Sequence, residues 1–199
     1  MVTDSTVKTL EKMLEDSGAL LSGHFLLTSG LHSGNYLQCA LLLRYPGYAS
    51  YAGEKIAEHY SSWNIDLVVS PAIGGIVIGH EVARWLKVPF IFYEREAGEM
   101  RLRRFPEPGK KRVLVVEDVI TTGSSVKEVG ESLLSNGAEW ISTACIVDRS
   151  KGKHVLGQDP FSLLQVSFPV YEPSDCPLCR ENIPLVKPGS RNFSDRNQR

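Results

Sequence analysis

Hydrophobic positions along this chain change period several times, and the changes mark its elements. Val7, Leu10, Met13 and Leu14 recur three and four apart, which predicts a helix from Thr6 to Ser17 ending at Gly18. Ala19 to Tyr45 has no such period. With Gly23, Gly30 and Gly34 it reads as short strands and turns rather than helix. Tyr48 to Tyr60 is helical again, entered through Pro46 and Gly47. From there short apolar runs alternate with helical ones. Strands are expected at Asp66–Ser70, Val88–Tyr93, Arg112–Asp118, Trp140–Asp148 and Ser162–Val166, and helices at Gly75–Leu86 and Ser125–Ser135. Apolar strands separated by helices predict an α/β fold with a mostly parallel sheet covered on both faces. The polar run from Asn192 is expected to be disordered.

Size and charge narrow the picture. A chain of 199 residues suffices for one sizeable domain, expected over residues 1–191, and not for two with a linker. The net charge of −1 gives no reason to expect a nucleic-acid or membrane-surface partner. No apolar run reaches the roughly 18 residues that cross a bilayer. The polar start, MVTDSTVKTLEKMLED, lacks a secretory pattern, so a cytoplasmic location is expected. In a reducing compartment Cys39, Cys145, Cys176 and Cys179 are not expected to form disulfides. Cys176 and Cys179 form a single CPLC. It reads either as a turn built on Pro177, the favoured reading, or as half of a zinc site that His154 and Cys145 could complete.

The segment Val113 to Ser125, VLVVEDVITTGSS, carries the most chemistry. An apolar strand ends in Glu117 and Asp118, and Thr121, Thr122, Gly123, Ser124 and Ser125 then lead into a helix. Hydroxyls and backbone N–H groups at a helix N-terminus make an anion site, and Gly123 has no side chain to hold a phosphate away. It is not a Walker loop, since GxxxxGK[ST] is absent. Two acids beside a phosphate would repel it unless they serve a different role, either accepting hydrogen bonds from sugar hydroxyls or helping to hold a hydrated Mg²⁺. The ligand this describes is a ribose 5-phosphate. The plainer alternative is a cap cluster on an ordinary helix. Upstream, Glu94 to Lys111 joins two strands with little hydrophobic pattern and carries Arg95, Arg101, Arg103, Arg104, Lys110 and Lys111 among four glutamates. It reads as a solvated loop or as a lid over an anionic substrate.

VLVVEDVITTGSS resembles the phosphoribosyl pyrophosphate (PRPP) motif of the type I phosphoribosyltransferases. The resemblance implies their fold: a parallel sheet flanked by helices (about 48–168), and a small hood from about 19–45 with a possible share from the C-terminal segment. It implies that Glu117 and Asp118 face the ribose hydroxyls, that Thr121 to Ser125 wrap the 5-phosphate, and that Asp118 is a catalytic-site residue. It further implies that Ala72, Ile73, Gly74 and Gly75 offer backbone N–H groups to pyrophosphate, and that Arg95, Arg101, Arg103 and Arg104 neutralise it as it leaves.

Two features are similar to the orotate-using branch of that family. Asp148-Arg149 ends the strand after the motif helix, where a guanidinium fork suits the orotate carboxylate. GHFLLTSGLHSGNYLQ, Gly23 to Gln38, resembles the hood segment through Phe25, Leu27, Ser29, Gly30, Ser33 and Tyr36. The implied base site is Arg149, Thr122, Phe25, Thr28 and Tyr36. The implied partners are PRPP and orotate, with Mg²⁺ on the pyrophosphate and Asp118 a candidate contact. A homodimer is implied as well, with loop 94–111 reaching the neighbouring subunit. The chain departs from the pattern at Thr28 and Gly74, where lysines are expected, in its loop arginines, and in the added CPLCRENIPLVKPGSR. Other readings are a xanthine- or hypoxanthine-type purine transferase, and a PRPP-binding regulator without catalysis.

Overall fold

The computed structural model describes residues 2–27 and 29–188. The chain divides into two compact units. The larger is Met1–Ala19 with Cys39–Ser167, and the smaller is Leu20–Gln38 with Phe168–Arg199. The polar run from Asn192 and Thr28 lie outside the described residues.

In the larger unit, α1 (Asp4–Asp16) starts where Thr3 Oγ1 accepts the Thr6 N–H at 3.3 Å. Next come α2 (Cys39–Leu43) and α3 (Pro46–Tyr60), the latter opened by proline at its first position. Residues 39–43 differ from the strands and turns that the sequence pattern suggests there. Cys39, Leu42 and Leu43 turn to one side of a short helix and are buried.

The sheet is then laid down by β3 (Leu67–Pro71), α4 (Gly75–Leu86), β4 (Phe90–Glu96), β5 (Glu99–Arg101), β6 (Arg112–Ile120), α5 (Ser124–Ser135), β7 (Glu139–Asp148) and β8 (Phe161–Gln165). The strand order is β5-β4-β3-β6-β7-β8, parallel except for the antiparallel β4–β5 pair. All five residues of β3 and Val113–Val116 of β6 are buried, as a central strand covered on both faces requires. On one face Val126, Val129 and Leu133 of α5 join Leu67, Val69, Val113 and Val115 in a common core.

The segment 94–111 differs from the patternless loop expected. β4 continues to Glu96 and turns back through β5, while Met100, Leu102 and Phe105 pack on the α5-side core. Three strand residues and scattered apolar contacts are too few to show as a period.

The smaller unit is a three-stranded antiparallel sheet of β1 (Leu20–Leu26), β2 (His32–Leu37) and β9 (Val170–Tyr171), in the order β1-β2-β9. A short helix, α6 (Pro177–Arg180), follows, and Val186 bridges to Phe25. This unit therefore combines an N-terminal hairpin with C-terminal segments.

Candidate active site

The site in the larger unit follows from the strand order. From β3 the chain crosses to β4 on one side, whereas β6 lies on the other side of β3. Connections diverge there, which leaves a crevice beyond the carboxyl ends of β3 and β6, where open α/β sheets bind ligands.

β6 delivers Glu117 and Asp118 to that crevice, both partly buried. The Asp118 N–H donates to Glu117 Oε1 at 3.0 Å, and the Val119 N–H donates to Asp118 Oδ1 at 2.8 Å. Burial raises the pKa of both carboxyls. Glu117 is carried well above the ordinary range, with the neighbouring Asp118 charge adding to burial. A crowded pair that resists double ionisation is suited to partners that donate hydrogen bonds or bring positive charge.

β3 delivers the turn Ala72 to Gly75, in which the Ala72–Ile73 peptide is cis. Of the four amides expected to face an anion, that of Ala72 is used internally, donating to the Tyr93 carbonyl at 2.7 Å. Gly74 and Gly75 open α4, where backbone donors lack helical partners. A Cβ at Gly74 would stand 2.6 Å from Asp118 Oδ1. A side chain at 74, the lysine expected there included, would require the Asp118 carboxylate to shift from its present position.

After β6, Thr121, Thr122 and Ser124 are exposed and Ser125 is half-buried. Gly123 is the N-cap of α5 with φ of 79°, and no side chain caps the helix. The hydroxyls are thus not an ordinary cap; Thr122 and Ser124 instead share a 2.9 Å hydrogen bond on the surface of the loop. The reason for glycine at 123 also changes. A Cβ there would meet the buried Leu156 side chain at 2.8 Å, so glycine serves the left-handed turn and close packing beneath the loop rather than clearance above it. Val155 donates its N–H to the Thr122 carbonyl at 2.9 Å and pins the loop from the same side.

β7 runs parallel to β6 with Ile120 paired to Asp148, so Arg149 emerges beside the Thr121–Ser125 loop. Its N–H donates to the Ile120 carbonyl at 2.8 Å. Asp148 is buried and accepts the Ser150 N–H at 2.7 Å, which shapes the turn carrying Arg149. Buried Cys39, at the start of α2, feels this cluster. Burial first, then the Asp118 charge, push its thiol pKa up, while the Arg149 charge opposes them.

The loop arginines are not a free set of cations. Arg95 pairs with Glu128 of α5 at 3.1 Å and also reaches Ser125 Oγ at 3.3 Å. Arg101 pairs with Glu99, Arg103 with Glu96 and Arg104 with Glu94, at 2.7, 3.2 and 2.7 Å. These exposed pairs are weak and exchangeable. Arg95 alone is placed against a motif residue.

In the smaller unit Phe25 and Tyr36 stand with ring centroids 5.8 Å apart. Phe25 is buried, while Tyr36 keeps partial exposure. Thr28 lies outside the described residues. The partners suggested for CPLC are elsewhere: Cys145 is buried within β7, and His154 faces Asp159 at 3.1 Å. The side chains beside Cys176 and Cys179 are His24 and His32. Their signal in the sequence is slight: two histidines eight apart across a glycine-bearing hairpin, with nothing linking them to a segment some 150 residues later.

Residues 42–173 match the model of the phosphoribosyl transferase domain. The chain belongs to the phosphoribosyltransferase family. Its relatives within that family include the orotate phosphoribosyltransferase of Thermotoga maritima, 50% identical over 92% of this chain and 99% of that one. That of Chlorobaculum parvum is 52% identical over 90% and 94%. Among solved structures, the orotate phosphoribosyltransferase of Aeropyrum pernix superposes with a TM-score of 0.70 at 30% identity, covering 79% of this chain and 93% of that one.

Proposed function

We propose that this protein transfers the phosphoribosyl group of PRPP to orotate, giving orotidine 5′-monophosphate and pyrophosphate. The observation that carries the proposal is the placement of Glu117-Asp118, the Thr121–Ser125 loop and Arg149 at the ends of two adjacent parallel strands. Relatives of about half identity bearing the orotate enzyme's name support the choice of base.

Bond cleavage at the anomeric carbon leaves positive charge on the ribose and negative charge on pyrophosphate. The chain need supply no nucleophile; it aligns the reactants and stabilises the separating charges. Thr121, Thr122, Ser124 and Ser125 hold the 5-phosphate with the open amides of α5. Glu117 and Asp118 accept from the ribose hydroxyls. Gly74 and Gly75 present amides to pyrophosphate, and Arg149 receives the orotate carboxylate. Phe25, Thr28 and Tyr36 are assigned to the base by resemblance. Arg95, Arg101 and Arg103 serve as exchangeable cations once they leave their glutamates. The raised, crowded carboxyl pair fits a divalent cation, and Asp118 is the residue assigned to it. Mg²⁺ bound there and on PRPP would neutralise the leaving pyrophosphate. The protein acts as a cytoplasmic homodimer with loop 94–111 reaching its neighbour's site.

The test is turnover with PRPP, Mg²⁺ and a panel of bases. Orotate should be consumed with release of pyrophosphate, and hypoxanthine and xanthine should not. Use of a purine with no use of orotate would overturn the assignment of the base.

A further inference from the structure

The smaller unit has little apolar interior. Its only buried hydrophobic side chains among the described residues are Phe25, Leu37 and Cys176. Units this poor in core need another constraint, commonly a metal or disulfides. The cysteines here are unpaired.

Four potential ligands converge in this unit. The donor atoms of His24, His32, Cys176 and Cys179 all lie within 4.8 Å of one another. His24 Nε2 is 2.8 Å from His32 Nδ1, 3.5 Å from Cys176 Sγ and 3.8 Å from Cys179 Sγ. Cys179 Sγ is 3.4 Å from His32 Nδ1. Ligand bonds of about 2.0 to 2.3 Å in a tetrahedron imply donor–donor edges of about 3.3 to 3.8 Å. Three sulfur–nitrogen separations, 3.4 to 3.8 Å, fall in that range, the imidazole pair at 2.8 Å is tighter, and no pair of donors exceeds 4.8 Å.

The surroundings prepare the set. His24 Nδ1 faces the Ile183 carbonyl at 2.7 Å. A carbonyl only accepts, so Nδ1 carries the proton and the Nε2 lone pair points at the cluster, the second contact typical of a ligating histidine. His24 and His32 are buried on one face of the β1–β2 hairpin, where the register places His32 opposite Leu26. Leu178, between the two cysteines, lies over Gly34 of that hairpin.

We infer that His24, His32, Cys176 and Cys179 bind one Zn²⁺ as a closed structural site that ties the N-terminal hairpin to the C-terminal segment. Two thiolates and two imidazoles converging within 4.8 Å suit zinc over magnesium or calcium. Four protein ligands leave no open position, so the ion supports the fold of the smaller unit and takes no part in transfer. The inference stands independently of the substrate assignment.

The experiment is metal analysis of the full-length, untagged protein grown with zinc and dialysed. It should carry about one zinc per chain. Cys176→Ser and Cys179→Ser should lose that zinc, whereas Cys145→Ser and His154→Ala should keep it. Should the cysteine variants not fold, X-ray absorption at the zinc edge of the wild type decides. Two sulfur and two nitrogen neighbours support the site. A shell without sulfur, zinc retained by both cysteine variants, or folded wild type that neither contains zinc nor takes up Zn²⁺ or Co²⁺ overturns it. A Cys176–Cys179 disulfide in metal-free, folded protein also overturns it.

Discussion

Single residues at the crevice carry function at some expense of stability. Glu117 has its pKa raised by burial and by Asp118. A carboxyl with a raised folded-state pKa contributes stability below its unfolded pKa and loses it as pH rises through the folded value. Glu117→Gln should therefore raise the melting temperature of the ligand-free protein, with a gain that grows across the pH range above the ordinary glutamate value. Equal melting temperatures across that range would contradict the strain assigned to the pair. Asp118→Asn and Thr122→Ala should each lower kcat/KM by about 10²-fold with the fold intact, since both act on ligand groups at the surface of the crevice. Unchanged turnover in both would remove the ribose-phosphate assignment. For Arg149→Ala, loss of one partner of a bidentate ion pair costs about 2–5 kcal/mol, so the orotate KM should rise by about tenfold or more with PRPP binding little changed. Lysine should restore only part, lacking the planar fork. Normal orotate kinetics in the alanine variant would sink this role.

At the scale of elements, β6, the loop and α5 are legible in the sequence because everything that defines them is local. The apolar run, the acids, the hydroxyls and the helix period fall within residues 112–135. Segment 94–111 is less so. Besides the β4–β5 pairing and its apolar contacts, it is held by Glu128 of α5, which pairs with Arg95 and accepts the Met100 N–H at 3.2 Å. Nothing near residue 100 announces that partner. Glu128→Ala should accordingly speed hydrogen exchange across residues 95–101 while global stability changes little; exchange like the wild type's would show that the ion pair holds nothing. PRPP with orotate should further slow exchange across 94–111, and equal protection with and without ligands would count against a lid.

For the molecule as a whole, the parallel sheet is legible from alternating apolar strands and helices, since each crossover is a short, self-contained unit. The smaller unit is not. Its pairs join His32 to Tyr171 and Phe25 to Val186. No periodicity within a window of sequence reports contacts of that separation. The same distance hides His24 and His32 from CPLC, and it leaves Cys145 and His154, nearer in the chain, as the apparent partners. It also has a consequence in time. A chain emerging from the ribosome makes β1 and β2 before every strand of the larger sheet, and β9, the partner of β2, after all of them. Until β9 is made, β2 presents an unpaired edge, and the hairpin's sheet is completed only after the strands of the larger one have been laid down.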